Sequence, residues 1–245
     1  MEIGAQLYTV NAFTKTTEGI SETLKKIADI GYKNVQVSGT CPYDPAWLKA
    51  ELDKNGLKCV ITHTPVENAE ESIKNHEILC CEHVGLGWYD FQNGETKDAY
   101  NTFIEKYKPI SKALKVGGKQ FMYHNHDHEF KKYNGKILLE HLAEDFSADE
   151  LGFTLDTYWV QMGGGEPSDW LEKLSGRVPC IHIKDFAYER KMAVIGEGNM
   201  NWDKIFKAAE KSGTKYMLVE QDDCYGEDPF YCLKRSYEFL KSRGF

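Results

Sequence analysis

Short apolar runs and amphipathic stretches alternate along almost the whole chain. The runs Ile3–Val10, Asn34–Ser38, Leu57–Thr64, Val84–Trp88, Lys119–His124, Gly152–Tyr158, Val178–Ile183 and Tyr216–Glu220 are mostly continuous in apolar residues and rich in Val, Ile, Phe and Tyr. Strands buried on both faces carry that pattern. Between them the period lengthens to that of helices. Thr17–Ile30 sets Ile20, Leu24, Ile27 and Ile30 on one face and meets Gly31, a stop signal. Asp44-Pro45 caps and opens a second helix. The longest helical stretch, from about Lys97 to Val116, contains Pro109, which predicts a kink or break near Tyr107–Lys108. Pro167-Ser-Asp169, Asn201–Ser212 and Pro229–Arg243 open or span the later helices.

Eight strands alternating with about eight helices predict an α/β fold, a (β/α)8 TIM barrel in a single domain over residues 1–245. A doubly wound open sheet is the rival. No GxGxxG follows the first strand, and polar residues end many strands rather than one crevice, so the barrel is preferred.

Those strand ends carry the chemistry. Asp156 follows Phe153-Thr-Leu, His182 follows Cys180-Ile, and Glu220 follows Met217-Leu-Val. In a barrel the C-terminal strand ends converge on one mouth, which makes these three neighbours. One imidazole and two carboxylates without a thiolate suit a single divalent ion of the Mn, Mg, Co or Zn type, not a closed structural zinc site. An isolated Asp after a strand is usually a helix cap, and an isolated His usually a satisfied structural group. Three such residues on consecutive strands at one end favour a shared site.

The fifth strand runs into Tyr123-His-Asn-His-Asp-His-Glu-Phe130. His124, His126 and His128 alternate, so an extended chain would put them on one side, with Glu129 where the chain leaves the strand. His63, Gln6, Gln36 and Trp88 lie near other strand ends and are candidate substrate contacts. His76, His83 and His141 read as ordinary helix-surface or strand-start residues. Gly163-Gly-Gly165 and Gly196-Glu-Gly198 fit either loop shaping or close approach to a ligand, an anion in the second case.

Composition narrows the partners. With 38 acidic against 30 basic residues, a net charge of −8 and no run of five like charges, the chain lacks the basic stripe of a nucleic-acid surface. Seven cysteines without a CxxC pair read as reduced thiols. The N-terminus does not read as a signal peptide, and no apolar run approaches the roughly 18 residues of a membrane span. A cytoplasmic protein without a membrane partner is expected. Trp88, Tyr89, Phe91 and Trp159 read as surface aromatics, suited to sugar stacking or to a homo-oligomeric partner covering the mouth.

Four segments resemble the xylose isomerase-like barrel superfamily, the sugar isomerase and epimerase group, and the resemblance runs over nearly the whole chain. They are Tyr123–Phe130, Leu155-Asp-Thr-Tyr-Trp159, His182-Ile-Lys-Asp185 with Gly196-Glu-Gly198, and Val219-Glu-Gln-Asp222. The resemblance implies one divalent metal held by Glu, Asp, His and Glu, the last three falling on Asp156, His182 and Glu220. The epimerases' strand-five glutamate aligns directly with His124. Either His124 holds the metal or the chain loops back and Glu129 supplies the carboxylate. Glu129 is expected, because a second carboxylate balances the ion's charge and retains a base, which leaves His124 to contact substrate.

Trp159 stands where those epimerases place a substrate histidine, Tyr188 where they place an arginine, and Lys184 where small residues are common. These departures point away from a simple free-ketose epimerase and toward the dehydratase and keto-glycoside-processing branches. The resemblance implies a metal-dependent isomerase or epimerase acting on a ketose or keto-sugar derivative through an enediolate. Glu220 or Glu129 would take the proton, His126 would carry one at the second atom, and Lys184 would stabilise negative charge. Loss of a β-hydroxyl or glycosyl group from the same intermediate would make a lyase. Two remoter readings are a DNA-repair nuclease of the endonuclease IV kind, for which only His63 offers an early ligand, and a non-catalytic sugar-binding barrel.

Overall fold

The computed structural model describes residues 1–92 and 95–245. Eight parallel strands close on themselves: β1 (Glu2–Gln6), β2 (Asn34–Val37), β3 (Lys58–His63), β4 (His83–Leu86), β5 (Gln120–His124), β6 (Leu151–Asp156), β7 (Cys180–Ile183) and β8 (Tyr216–Val219). Each pairs with its sequence neighbours, and β8 closes the ring on β1 through Glu2↔Tyr216 to Ala5↔Val219. The open-sheet alternative is excluded.

Around the barrel lie α1 (Thr17–Ile30), α2 (Pro45–Lys54), α3 (Ala69–Ile78), α4 (Thr96–Val116), α5 (Leu138–Asp145), α6 (Thr157–Met162), α7 (Pro167–Lys173), α8 (Trp202–Lys211) and α9 (Pro229–Ser242). Local chemistry sets their ends. Thr16 caps α1 by accepting from the Gly19 amide at 3.0 Å, and Gly31 terminates it in the left-handed region at φ 123°. Asp44 caps α2 through the Trp47 amide at 2.9 Å.

The predicted break in the long helix does not occur: α4 runs unbroken through Pro109. Two strands are also shorter than their apolar runs. The run from Ile3 stops pairing at Gln6, whose side chain accepts the Tyr8 amide and turns the chain into a 3-10 segment, Leu7–Phe13. The run from Gly152 becomes helical at Thr157, because Asp156 caps α6.

Alternation along the strands divides the interior. Met122, Cys180 and Leu218 belong to a small apolar cluster with Val60, Ile61 and Tyr216. Two residues further on, and so on the same face, stand His124, His182 and Glu220. The barrel is therefore apolar below and polar at its C-terminal mouth. The larger core, including Leu24, Ile27, Phe121, Phe153, Leu171 and Ile205, lies between strands and helices.

Candidate metal centre

His124 from β5, Asp156 from β6, His182 from β7 and Glu220 just past β8 are all buried. Each offers a ligand atom within 4.8 Å of the others. Asp156 Oδ2 stands 3.2 Å from His124 Nε2 and 3.6 Å from His182 Nδ1, and His182 Nδ1 lies 2.8 Å from Glu220 Oε2. Ligands about 2.1 Å from one ion stand roughly 3–4 Å apart, so the spacing fits.

The outer nitrogens settle which ring atoms face the cluster. His124 Nδ1 donates to the Gly87 carbonyl at 2.9 Å, and His182 Nε2 donates to Gln36 Oε1 at 2.6 Å. Both acceptors lack a proton to give, so each ring turns its other nitrogen toward the carboxylates. Although 2.8 Å apart, His182 Nδ1 and Glu220 Oε2 are not aligned for a hydrogen bond with each other. They converge on a common point instead of on each other. An imidazole lone pair against carboxylate oxygens repels unless positive charge sits between them, as a proton or as a cation. Burial lowers the His182 pKa, but Glu220 and Asp156 outweigh it and raise it to about 9. The donor set fits a divalent ion.

Glu129 stands elsewhere. Its carboxylate accepts from the Tyr123 hydroxyl and from the His126 amide at 2.7 Å, and His128 Nε2 approaches at 3.1 Å. The strand ends at His124, and the chain turns through a short 3-10 segment, His128–Phe130, that folds Glu129 back under the loop. His124 therefore takes the place in the cluster expected of Glu129, and Glu129 locks the loop. His126 and His128 leave the strand and do not share its face. Burial and the neighbouring His124 push the His126 pKa down to about 2, so the ring is neutral in ordinary solution. A ring so reluctant to take a proton is a weak general base.

Lys184 is buried against three carboxylates: Asp156 Oδ2 and Glu220 Oε2 at 3.1 Å, and Asp222 at 3.0 Å. Burial opposes its charge, but these acids hold it ionised well above the ordinary lysine range. Asp222 had no assigned role in the sequence reading. Alternation offered the signal, since it lies two residues beyond Glu220 on an extended chain end. Burial and the charge of Glu220 lift its pKa to about 6.

Above the cluster opens a cavity of about 580 Å³ lined by residues including Gln6, His63, Trp88, His126, Trp159 and Asp222. His124, Lys184 and Glu220 reach its wall, with Asp156 and His182 beneath. Gln36 lies behind His182. His63 lies flat over β4, where a Cβ on Gly85 or Gly87 would come within 2.6–2.7 Å of its ring. Burial and the adjacent His124 and His182 keep its pKa well below the usual histidine value.

Other expectations change. Phe91 is buried, packed edge-on against Tyr89 at 4.8 Å and beside Phe103, and is no surface aromatic. Trp88 is 56% exposed at the rim. His76 is buried, bonded to Thr62 and the Ser72 carbonyl. Gly163 and Gly165 make room for the Phe130 ring. Gly196-Glu-Gly198 does bind an anion, the chain's own Asp185, which accepts the Gly196 and Gly198 amides at 2.8 and 3.1 Å and Trp202 Nε1 at 2.8 Å.

A closed eight-stranded barrel with side chains that could hold a metal ion gathered at its C-terminal mouth defines the class. Residues 24–243 match the family model described as xylose isomerase-like TIM barrel, and the chain belongs to that family. Inosose dehydratase of Bacillus cereus is 22% identical over 267 residues, covering 91% of this chain and 89% of that protein. A sugar phosphate isomerase/epimerase from Parabacteroides distasonis superimposes with a TM-score of 0.81 at 23% identity, covering 98% of this chain and 93% of its own. An L-ribulose 3-epimerase gives a TM-score of 0.78 at 16% identity, covering 99% and 94%. Identities this low establish a shared fold only. Among the described residues no helix is long and apolar enough to cross a membrane.

Proposed function

We propose that this protein is a divalent-metal-dependent enzyme that moves a proton on the carbon beside the carbonyl of a keto-sugar or keto-polyol, with isomerisation or epimerisation as the outcome. One observation carries the reading: two imidazoles with outward-tied N–H groups and two carboxylates converge at the floor of an open polar cavity. His124, Asp156, His182 and Glu220 would hold the ion. When bound, it supplies Lewis-acid polarisation of a carbonyl and its neighbouring hydroxyl.

The chain's own residues handle the proton. Glu220 and Asp222 flank Lys184, and their surroundings drive their pKa values apart, Glu220 downward and Asp222 to about 6. Burial alone would raise Glu220, but Lys184 and His182 outweigh it. Carboxyl pairs split in this way divide acid and base work between them. Asp222, near neutrality and on the cavity wall, takes the proton-carrying role expected of His126. Lys184 places a fixed positive charge where the enediolate develops negative charge. His126 Nδ1, His63 Nε2 and Trp159 Nε1 have no partner among the described residues and are free to bond substrate hydroxyls.

Lys184 also favours a second reading. A buried ammonium on the cavity wall can stabilise a departing oxygen while Asp222 protonates it, which would turn the same enediolate chemistry into a lyase, and a relative named inosose dehydratase agrees with that outcome. The test is exchange in deuterated water with manganese-loaded protein and a panel of keto-sugars and inososes. Deuterium beside the carbonyl supports the proposal, and a dehydrated product selects the lyase. Binding without exchange or conversion would leave a sugar-binding barrel, and Asp222→Asn should lower the exchange rate by about 10²-fold or more.

A further inference from the structure

We propose that the mouth selects an uncharged polyhydroxylated substrate, a free keto-sugar or cyclic keto-polyol, and rejects its phosphorylated counterpart. The inference rests on the carbohydrate reading above. Glu67, Glu220 and Asp222 line the cavity, and Lys184 is the one cationic side chain among the lining residues. Its ammonium is already shared by Asp156, Glu220 and Asp222. A divalent ion and Lys184 together just balance Glu220, Asp222 and Asp156, which leaves no positive charge over for a phosphate. Two lysines near the rim are already engaged: Lys106 balances Glu67 at 2.9 Å, and Lys15 donates to the Gly39 carbonyl at 3.0 Å.

A second observation is independent of that charge balance. Barrels commonly seat a phosphate on the loops after strands seven and eight and on a nearby helix N-terminus. Here the loop after β7 spends its Gly196 and Gly198 amides on Asp185. The N-terminus of α8 is capped by Asn201, and that of α9 by Asp228, which accepts the Phe230 and Tyr231 amides at 2.8 and 3.0 Å. The loop after β8 adds Asp222 and Asp223. The usual phosphate seat is thus filled by the chain's own side chains, Asp185, Asn201 and Asp228. What the cavity leaves uncommitted is neutral: His63 Nε2, His126 Nδ1 and Trp159 Nε1, beside the faces of Tyr8, Trp88 and Trp159. Sugar hydroxyls and C–H faces match such groups.

The test is calorimetric titration of manganese-loaded protein with matched pairs: D-fructose, D-tagatose and D-psicose, each against its 6-phosphate. The neutral member of at least one pair should bind at least about tenfold more tightly, since like charges facing each other are strongly unfavourable. Glu67→Lys should narrow that gap about fivefold or more by tightening the phosphate alone. A phosphorylated member binding as tightly as its neutral partner, or a gap unmoved by Glu67→Lys, would overturn the inference and leave the proposed metal chemistry intact. Failure of every pair to bind would overturn the carbohydrate function and this inference with it.

Discussion

Gln36 is buried behind His182, and its Oε1 receives the Nε2 proton at 2.6 Å. Replacing it with leucine removes the acceptor that keeps one proton on Nε2, so that Nδ1 is the nitrogen left to an ion once the other proton departs. The neutral ring can then keep its single proton on Nδ1, where Glu220 Oε2 lies 2.8 Å away, in an ordinary imidazole–carboxylate hydrogen bond. Any incoming ion must undo that arrangement. Partners of this kind are worth about 10–100-fold in metal affinity, or roughly 1.4–2.7 kcal/mol. The metal-free fold should suffer little. Gln36 Nε2 is itself a buried donor without a partner among the described residues. Leucine removes that orphan while creating another at His182 Nε2, and two buried polar losses of about 1–3 kcal/mol each nearly cancel. Competition against a chelator measures the affinity, thermal unfolding of the apo protein measures stability, and nitrogen-15 NMR of the imidazoles reads the tautomer. Gln36→Glu keeps an acceptor and should retain wild-type affinity or better. Unchanged metal affinity in Gln36→Leu, or a His182 still protonated on Nδ1 in the metal-loaded wild type, would refute the reasoning.

Three further outcomes follow from the geometry. Glu129→Gln should still load one ion per chain, whereas Glu129→Ala should lose roughly 3 kcal/mol of stability by orphaning the Tyr123 hydroxyl and the His126 amide. Loss of the ion in Glu129→Gln would return that residue to the metal. His76 is held neutral by burial, its pKa pushed down to about 4, against about 6.5 in an unfolded chain. The unfolded state takes up this proton first, so the residue leaves stability intact above pH 6.5. It costs progressively more as pH falls toward 4, reaching about 3 kcal/mol. Urea unfolding across that window should show a shallower decline for His76→Gln, and parallel declines would count against it. Asp185→Ala should loosen the loop after β7, seen as faster amide exchange at Gly196 and Gly198; unchanged exchange would mean that other contacts hold it.

The barrel was legible because its strands are buried on both faces and so read as continuous apolar runs. Asp156, His182 and Glu220 stood out because each interrupts such a run at the same end. Boundaries blurred where apolar sequence continued into a helix: Tyr158 and Val160 are buried on α6, and only Asp156's cap on Trp159 marks the change, at 3.0 Å. Glu129 was misplaced for a physical reason. Its partner is the hydroxyl of Tyr123, a buried aromatic whose polar end gives no periodic signal, and the return of the loop depends on that contact. The low pKa of His126 comes from burial among other imidazoles, which spacing does not reveal. Of the kink or break expected near Tyr107–Lys108, the break does not appear, and α4 continues through Pro109. The neighbouring Ser111 hydroxyl bonds the Lys108 carbonyl at 2.9 Å.

Metal content tests the central claim most directly. The purified protein, stripped with a chelator and reloaded with manganese or zinc, should bind one ion per chain by elemental analysis and calorimetry. The double variant Asp156→Ala with His182→Ala should bind none while retaining its fold by circular dichroism. A wild-type chain that takes up no divalent ion, or a folded double variant that binds as the wild type does, would contradict the account.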